Sequence, residues 1–160
     1  RVYEIGKEYY FEFFALPFDR HMNPASIKGV LFDTNRSYDE DSIWEMIENK
    51  RVAAYGDAQY VVEYLNPEDI VFLCHRWVGI VAAGEVMGPV KSVENMDEQF
   101  RDLKFLTPVP DKQKGSIPNM PFSMVSQVTG KSFFWARTIK APYLTRDEAM
   151  ALLDELKKVL

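Results

Sequence analysis

The sequence contains a single cysteine, Cys74, two histidines, and no apolar run long enough to cross a bilayer. One cysteine cannot close an internal disulfide. This one sits in the apolar run IVFLCH, where a thiol behaves as a small hydrophobe. A reducing, cytoplasmic setting is expected. A membrane span needs about 20 apolar residues, and a signal peptide needs a basic, then apolar, then small-residue order. Neither is present, so the chain reads as soluble, with no membrane partner.

Chemistry-bearing motifs are equally sparse. Zinc needs three or four convergent ligands, but Cys74 and His75 are adjacent and the other histidine is His21. No metal site is expected. There is no Gly-x-Ser-x-Gly elbow, no phosphate-binding Gly-rich loop and no Gly-x-Gly-x-x-Gly. The carboxylate runs Asp39-Glu40-Asp41 and Glu68-Asp69 fall at turns and helix starts, where acids satisfy orphan amides. No cofactor and no catalytic residue is assigned, and the domain alone reads as a non-enzyme.

What is abundant is apolar and aromatic surface: 47% of the 160 residues are hydrophobic and 14% aromatic, enough for one good core. A single domain spanning 1–160 is expected. Its start at Arg1 suits a piece of a larger polypeptide, or a processed chain. The net charge of −5 hides an asymmetry. Residues 1–100 carry 9 Lys/Arg against 18 Asp/Glu, whereas 101–146 carry 8 against 2. That basic stretch is either a solvated lysine-rich loop or an edge facing nucleic acid.

Along the chain, the aromatic-rich segment 9–18 reads as a strand ended by Pro17, and 19–36 as a loop or irregular insertion. Ser42 to Glu45 has capping-box spacing ahead of a short helix. The segment RVAAYGD reads as a loop feeding a second helix that carries Val61, Val62 and Leu65. A Pro67-Glu68-Asp69 turn precedes a buried strand at 70–75, whose hairpin partner runs over 78–86. Gly79, Ala82, Ala83 and Gly84 leave that partner so little bulk that another strand or a ligand must approach its backbone. A strand over 100–109, an irregular 110–121, one or two helical turns at 122–128 and a late strand after Gly130 follow. The capping box Thr145 to Glu148 opens an amphipathic C-terminal helix.

Three tryptophans stand in polar company. Trp44 opens a helix, Trp77 follows Arg76 at the hairpin turn, and Trp135 precedes Arg137. A tryptophan either fills core or offers a flat face for a planar ring or cation. Tyr55-Gly56-Asp57 supplies a ring, a flexible backbone and an acceptor within three residues. It either grips a heterocycle or turns one helix into the next, with Asp57 as N-cap.

The paired segments YVVEYLNPEDIVFLCH and WVGIVAAGEV resemble the PUA-like superfamily, particularly its EVE and YTH-type members, over residues 40 to 90. The resemblance implies an α+β fold: a curved mixed sheet or pseudo-barrel flanked by short helices. It also implies a reader of a modified or flipped base in DNA or RNA, of the kind fused to other domains in restriction and defence proteins. In such readers aromatic rings sandwich the base and polar groups test its edge. The pocket residues it implies are Trp44, Tyr55, Asp57, Trp77 and Trp135, and the backbone contacts are Arg51, Arg76, Lys131, Arg137 and Lys140. Expected partners are nucleic acid and the other domains of the parent polypeptide. The competing readings are a protein-interaction or regulatory domain, in which the tryptophans are core, and an enzyme with an unrecognised acid/base pair.

Overall fold

The computed structural model describes residues 27–93, 97–136 and 138–160. The segment 9–18, read as a strand, and Arg137 lie outside them.

An eight-stranded mixed sheet organises the chain, in the order β2-β5-β4-β3-β1-β7-β6, with β8 also paired to β1. Its strands are β1 (Lys28–Asp33), β2 (Arg51–Tyr55), β3 (Ile70–His75), β4 (Gly79–Ser92), β5 (Glu98–Phe105), β6 (Phe134–Ala136), β7 (Ile139–Ala141) and β8 (Leu144–Thr145). The helices are α1 (Ser42–Asn49), α2 (Phe122–Thr129) and α3 (Arg146–Val159), with 3-10 segments at Gly56–Tyr64 and Lys112–Lys114. Strands β1 and β3 run parallel, from Gly29 opposite Ile70 to Asp33 opposite Cys74, and every other pairing is antiparallel.

Both faces of the sheet are covered, and alternation along the strands sorts the side chains. Val30, Phe32, Val71 and Leu73 join a core with Ile43, Met46 and Ile47 of α1 and with Val61, Val62 and Leu65 of the 3-10 segment. Leu31, Ile70, Phe72 and Cys74 join a second core with Val125 of α2 and Ala149, Leu152, Leu153 and Leu156 of α3. A strand buried on both faces needs a continuous apolar run, and β3 has one. β3 and α3 match the sequence reading, as does the Thr145–Glu148 capping box, which forms in full.

Other expectations are corrected. The segment 19–36 is not all loop, because Lys28–Asp33 forms a strand at the centre of the sheet. RVAAYGD is not a loop either. Arg51–Tyr55 pairs with β5 as a terminal strand, and only then does the chain turn into the 3-10 segment, whose N-cap is Tyr55 rather than Asp57. Ser42 is not a cap. It lies within α1, and its hydroxyl reaches the carbonyls of Thr34 and Asp39, while Asp41 holds the N-cap position without a side-chain bond. The late strand is three short ones, broken between β6 and β7 and again at Pro142.

The small residues of β4 are answered by the protein itself. A Cβ on Gly79 would stand 2.2 Å from the Met120 carbonyl oxygen, and one on Gly84 would stand 3.2 Å from that of Lys104. Backbone, not ligand, makes the close approach. Two buried cations tie the layers together. Lys28 Nζ donates to Asp69 Oδ2 at 2.7 Å, while Asp69 Oδ1 accepts from the Lys28 N–H at 3.0 Å. Arg101 donates to the carbonyls of Val62 and Leu65 and, at 2.7 Å, of Gly88. Burial lowers the pKa of Lys28 despite its bond and attraction to Asp69. For the Lys28–Asp69 pair, the cost of desolvating two charges offsets much of their attraction. No helix among the described residues is long and apolar enough to cross a membrane.

Candidate functional site

The carboxyl ends of the parallel pair β1 and β3 open onto loops rather than further sheet, the usual place for a crevice in an open mixed sheet. At the end of β1, Asp33 Oδ1 accepts the Asn35 N–H at 3.0 Å, turning the chain sharply. Asn35 takes a left-handed backbone, φ 63°, which asparagine tolerates better than most residues. Its Nδ2 donates to the Ala53 carbonyl at 3.0 Å, so the end of β1 is clipped to terminal strand β2 and the sheet curls toward itself. The Thr34 hydroxyl pairs with His75 Nδ1 at 2.7 Å, joining β1 to β3 at the same level.

A cavity of about 290 Å³ opens over this junction, lined by Asp33, Asn35, Ser37, Tyr38, Tyr55, Ala58 and Thr138. A second, of about 170 Å³, lies along Tyr38, Asp39, Glu45, Tyr55, Asp97 and Glu98. The two share the rings of Tyr38 and Tyr55, which stack at 4.9 Å with planes 7° apart. Tyr38 is 72% exposed, so this stack carries little of the fold.

Burial shapes the chemistry of the walls. It pushes the Asp33 carboxyl up, against the Asn35 N–H bond and the charges of Arg76 and Lys140, which pull it down. Burial, followed by the charges of Glu45 and Glu98, also pushes the Tyr55 phenol up, and its hydroxyl has no hydrogen-bond partner among the described residues. Tyr55 is therefore a neutral donor at neutral pH. Asn35, with its amide nitrogen turned to Ala53, keeps a carbonyl oxygen, and the second carboxyl oxygen of Asp33 accepts no hydrogen bond among the described residues. The larger cavity thus combines a flat aromatic wall with convergent acceptors and small hydroxyls, the equipment for holding a planar polar ring edge-on.

The expected site residues divide. Tyr55 lines both cavities. Arg76 reaches the larger one through its bond to the Ser37 hydroxyl, and Lys140 through its charge on Asp33. Trp77 stands at the tip of the β3–β4 hairpin, 76% exposed, outside the cavity wall. Trp44 lies half-buried against the α1 core, and Asp57 is exposed at the start of the 3-10 segment. Trp135 is 40% exposed on outermost strand β6, with Lys140 Nζ 4.9 Å from its ring and 4.6 Å from that of Phe122. Two basic candidates are engaged within the fold. Arg51 bonds Glu45 and Glu98 and lies over Phe100, and Lys131 pairs with Glu148 at 2.8 Å. Within the basic stretch 101–146, Arg101 is buried and Lys131 is paired, while Lys104, Lys112 and Lys114 are exposed.

Asp33, Asn35, Ser37, Tyr38 and Thr138 escaped the sequence reading. The available signal was the apolar run at 29–32 followed by Asp-Thr-Asn, a strand ending in a turn whose side chain caps its own backbone. Cys74 is fully buried and its thiol is pushed up by that burial, which makes it inert. No cluster suited to a metal ion occurs among the described residues. The fold and site together define a mixed α+β domain, with a mostly open mixed sheet and an aromatic, acceptor-rich crevice at the ends of its parallel strands. Comparison with models of protein families, with curated proteins and with solved structures finds no match to the chain.

Proposed function

We propose that the domain is a nucleic-acid reader of PUA-like type that accepts a modified or flipped base in the crevice beside Tyr38 and Tyr55, as the targeting module of a larger protein. The observation that carries this reading is the larger cavity itself. Its stacked tyrosines offer a platform for a base, and Asp33, Asn35, Ser37 and Thr138 stand where a base edge is tested. Cationic Arg36, Arg76 and Lys140 lie around it, as a phosphate backbone requires, although the whole chain is acidic.

The test is fluorescence-polarisation binding to matched single- and double-stranded DNA and RNA, with and without methylated adenine or cytosine, at two salt concentrations. Preference for one modified probe, lost on Tyr55→Ala with folding retained, is the expected result. An absence of binding to every probe at low salt would overturn the reading in favour of a protein-interaction domain.

A further inference from the structure

We infer that the substrate is double-helical nucleic acid and that Trp77 is the wedge that enters the base stack where the target base leaves it. This rests on the base-reader reading and adds the form of the substrate. Its starting point is a backbone anomaly. The hairpin turn from His75 to Val78 is closed by the Val78 N–H donating to the His75 carbonyl at 3.0 Å, and its third residue, Trp77, has φ 67°. A turn with positive φ at that position is made for glycine or asparagine. A bulky side chain there is strained, and strain of this kind is concentrated at functional sites.

Core packing does not explain the tryptophan, because its ring is 76% exposed. Its neighbours are cations: the Arg36 and Arg76 guanidinium carbons lie 5.3 Å and 4.8 Å from the ring centroid. Both arginines are fixed. Arg36 Nη1 donates to the Arg76 carbonyl at 2.7 Å, and Arg76 donates to the Ser37 hydroxyl. Ser37 in turn lines the larger cavity, so the hairpin tip and the crevice are joined through one side chain. A projecting indole flanked by two anchored guanidiniums, next to a base-sized crevice, has the parts a flipping reader needs. The ring replaces the departed base between its neighbours, the arginines hold the phosphates on either side, and the crevice receives the base. A single strand has no stack to refill, so the wedge acts only on a duplex.

The experiment uses the whole chain and its Trp77→Gly and Trp77→Phe variants. The probes are a duplex and the matching single strand, in DNA and RNA forms, each with methylated adenine or cytosine beside 2-aminopurine. Glycine suits the turn, so the first variant keeps its fold, which thermal melting verifies. Binding of the unaltered protein is expected to raise 2-aminopurine emission in the duplex. Trp77→Gly is expected to weaken duplex binding by about tenfold or more and single-strand binding by less than about twofold, in line with the value of one aromatic–base stack. Trp77→Phe should restore most of the loss, and the duplex that responds, DNA or RNA, identifies the substrate. Equal weakening of duplex and single strand, or of neither, would overturn the wedge while leaving the reader intact. Failure of the unaltered chain to bind any probe would overturn both.

Discussion

Trp77 illustrates how one residue can oppose the fold that carries it. A non-glycine residue in the left-handed region costs about 1–2 kcal/mol, and the two flanking guanidiniums return about 0.5–1 kcal/mol each at an exposed site. Alanine at this position would keep the backbone cost and lose the ring contacts, whereas glycine would lose both. Trp77→Gly is therefore expected to be more stable than Trp77→Ala by about 1 kcal/mol. Urea denaturation of the two variants measures this directly, and equal midpoints would mean that the turn relaxes rather than bearing strain. The sequence displayed Trp77 plainly as a hairpin residue beside Arg76. What it could not display is the sign of φ or the position of Arg36, which reaches Trp77 from the loop that follows β1. The same limit hid the cavity. Asp33 and Asn35 form a crevice only because Ala53 and Tyr55, at the far edge of the sheet, curl back to meet them.

Among the elements, those with a local signal were legible. β3 could be read from five apolar residues in a row after a turn, and α3 from its capping box and leucine spacing, because burial on both faces and capping leave marks on neighbouring positions. β1 and β2 were missed for the opposite reason. β1 is short and follows a Pro-containing stretch, and the Ala-Ala of β2 carries no strand propensity, so pairing with distant partners decides both. At α3, Glu148 accepts from the Thr145 N–H and from Lys131 Nζ. Desolvation raises its carboxyl, but the bonds from Lys131 and Thr145 and the Lys131 charge outweigh it and hold the pKa below the usual glutamate range. A carboxyl with a depressed folded-state pKa adds stability that is present above its unfolded-state pKa and is lost as pH falls through the folded value. Glu148→Gln is thus expected to lower stability by about 0.5–1 kcal/mol at neutral pH and to lessen the loss on acidification. Denaturant midpoints at neutral and acid pH measure both effects, and an unchanged acid limb would show that Glu148 does not carry it.

For the whole molecule, charge and topology act in different places. The acidic total disfavours indiscriminate contact with phosphate, yet folding gathers Arg36, Arg76 and Lys140 around one crevice, although Arg36 and Arg76 come from the acidic part of the sequence. Of the basic stretch that stood out in the sequence, Lys140 is one of these three, whereas Arg101 and Lys131 are put to structural use. Net charge by segment does not show which cations meet in space, since a sheet whose neighbours come from distant sequence positions redistributes charge. Under the reader hypothesis, these three cations set how binding responds to salt. Each phosphate they neutralise releases condensed counterions, so the logarithm of the binding constant should fall against the logarithm of salt with a slope of about −2 to −3. Removing one contact by Arg76→Ala should reduce that slope by about one, while leaving the preference for the modified base in place. A titration series of the intact chain and the variant across salt concentrations measures both. A slope near zero in the intact chain would mean that the crevice takes its ligand without the phosphate backbone, and a lost base preference in Arg76→Ala would place the guanidinium inside the recognition pocket rather than at its rim.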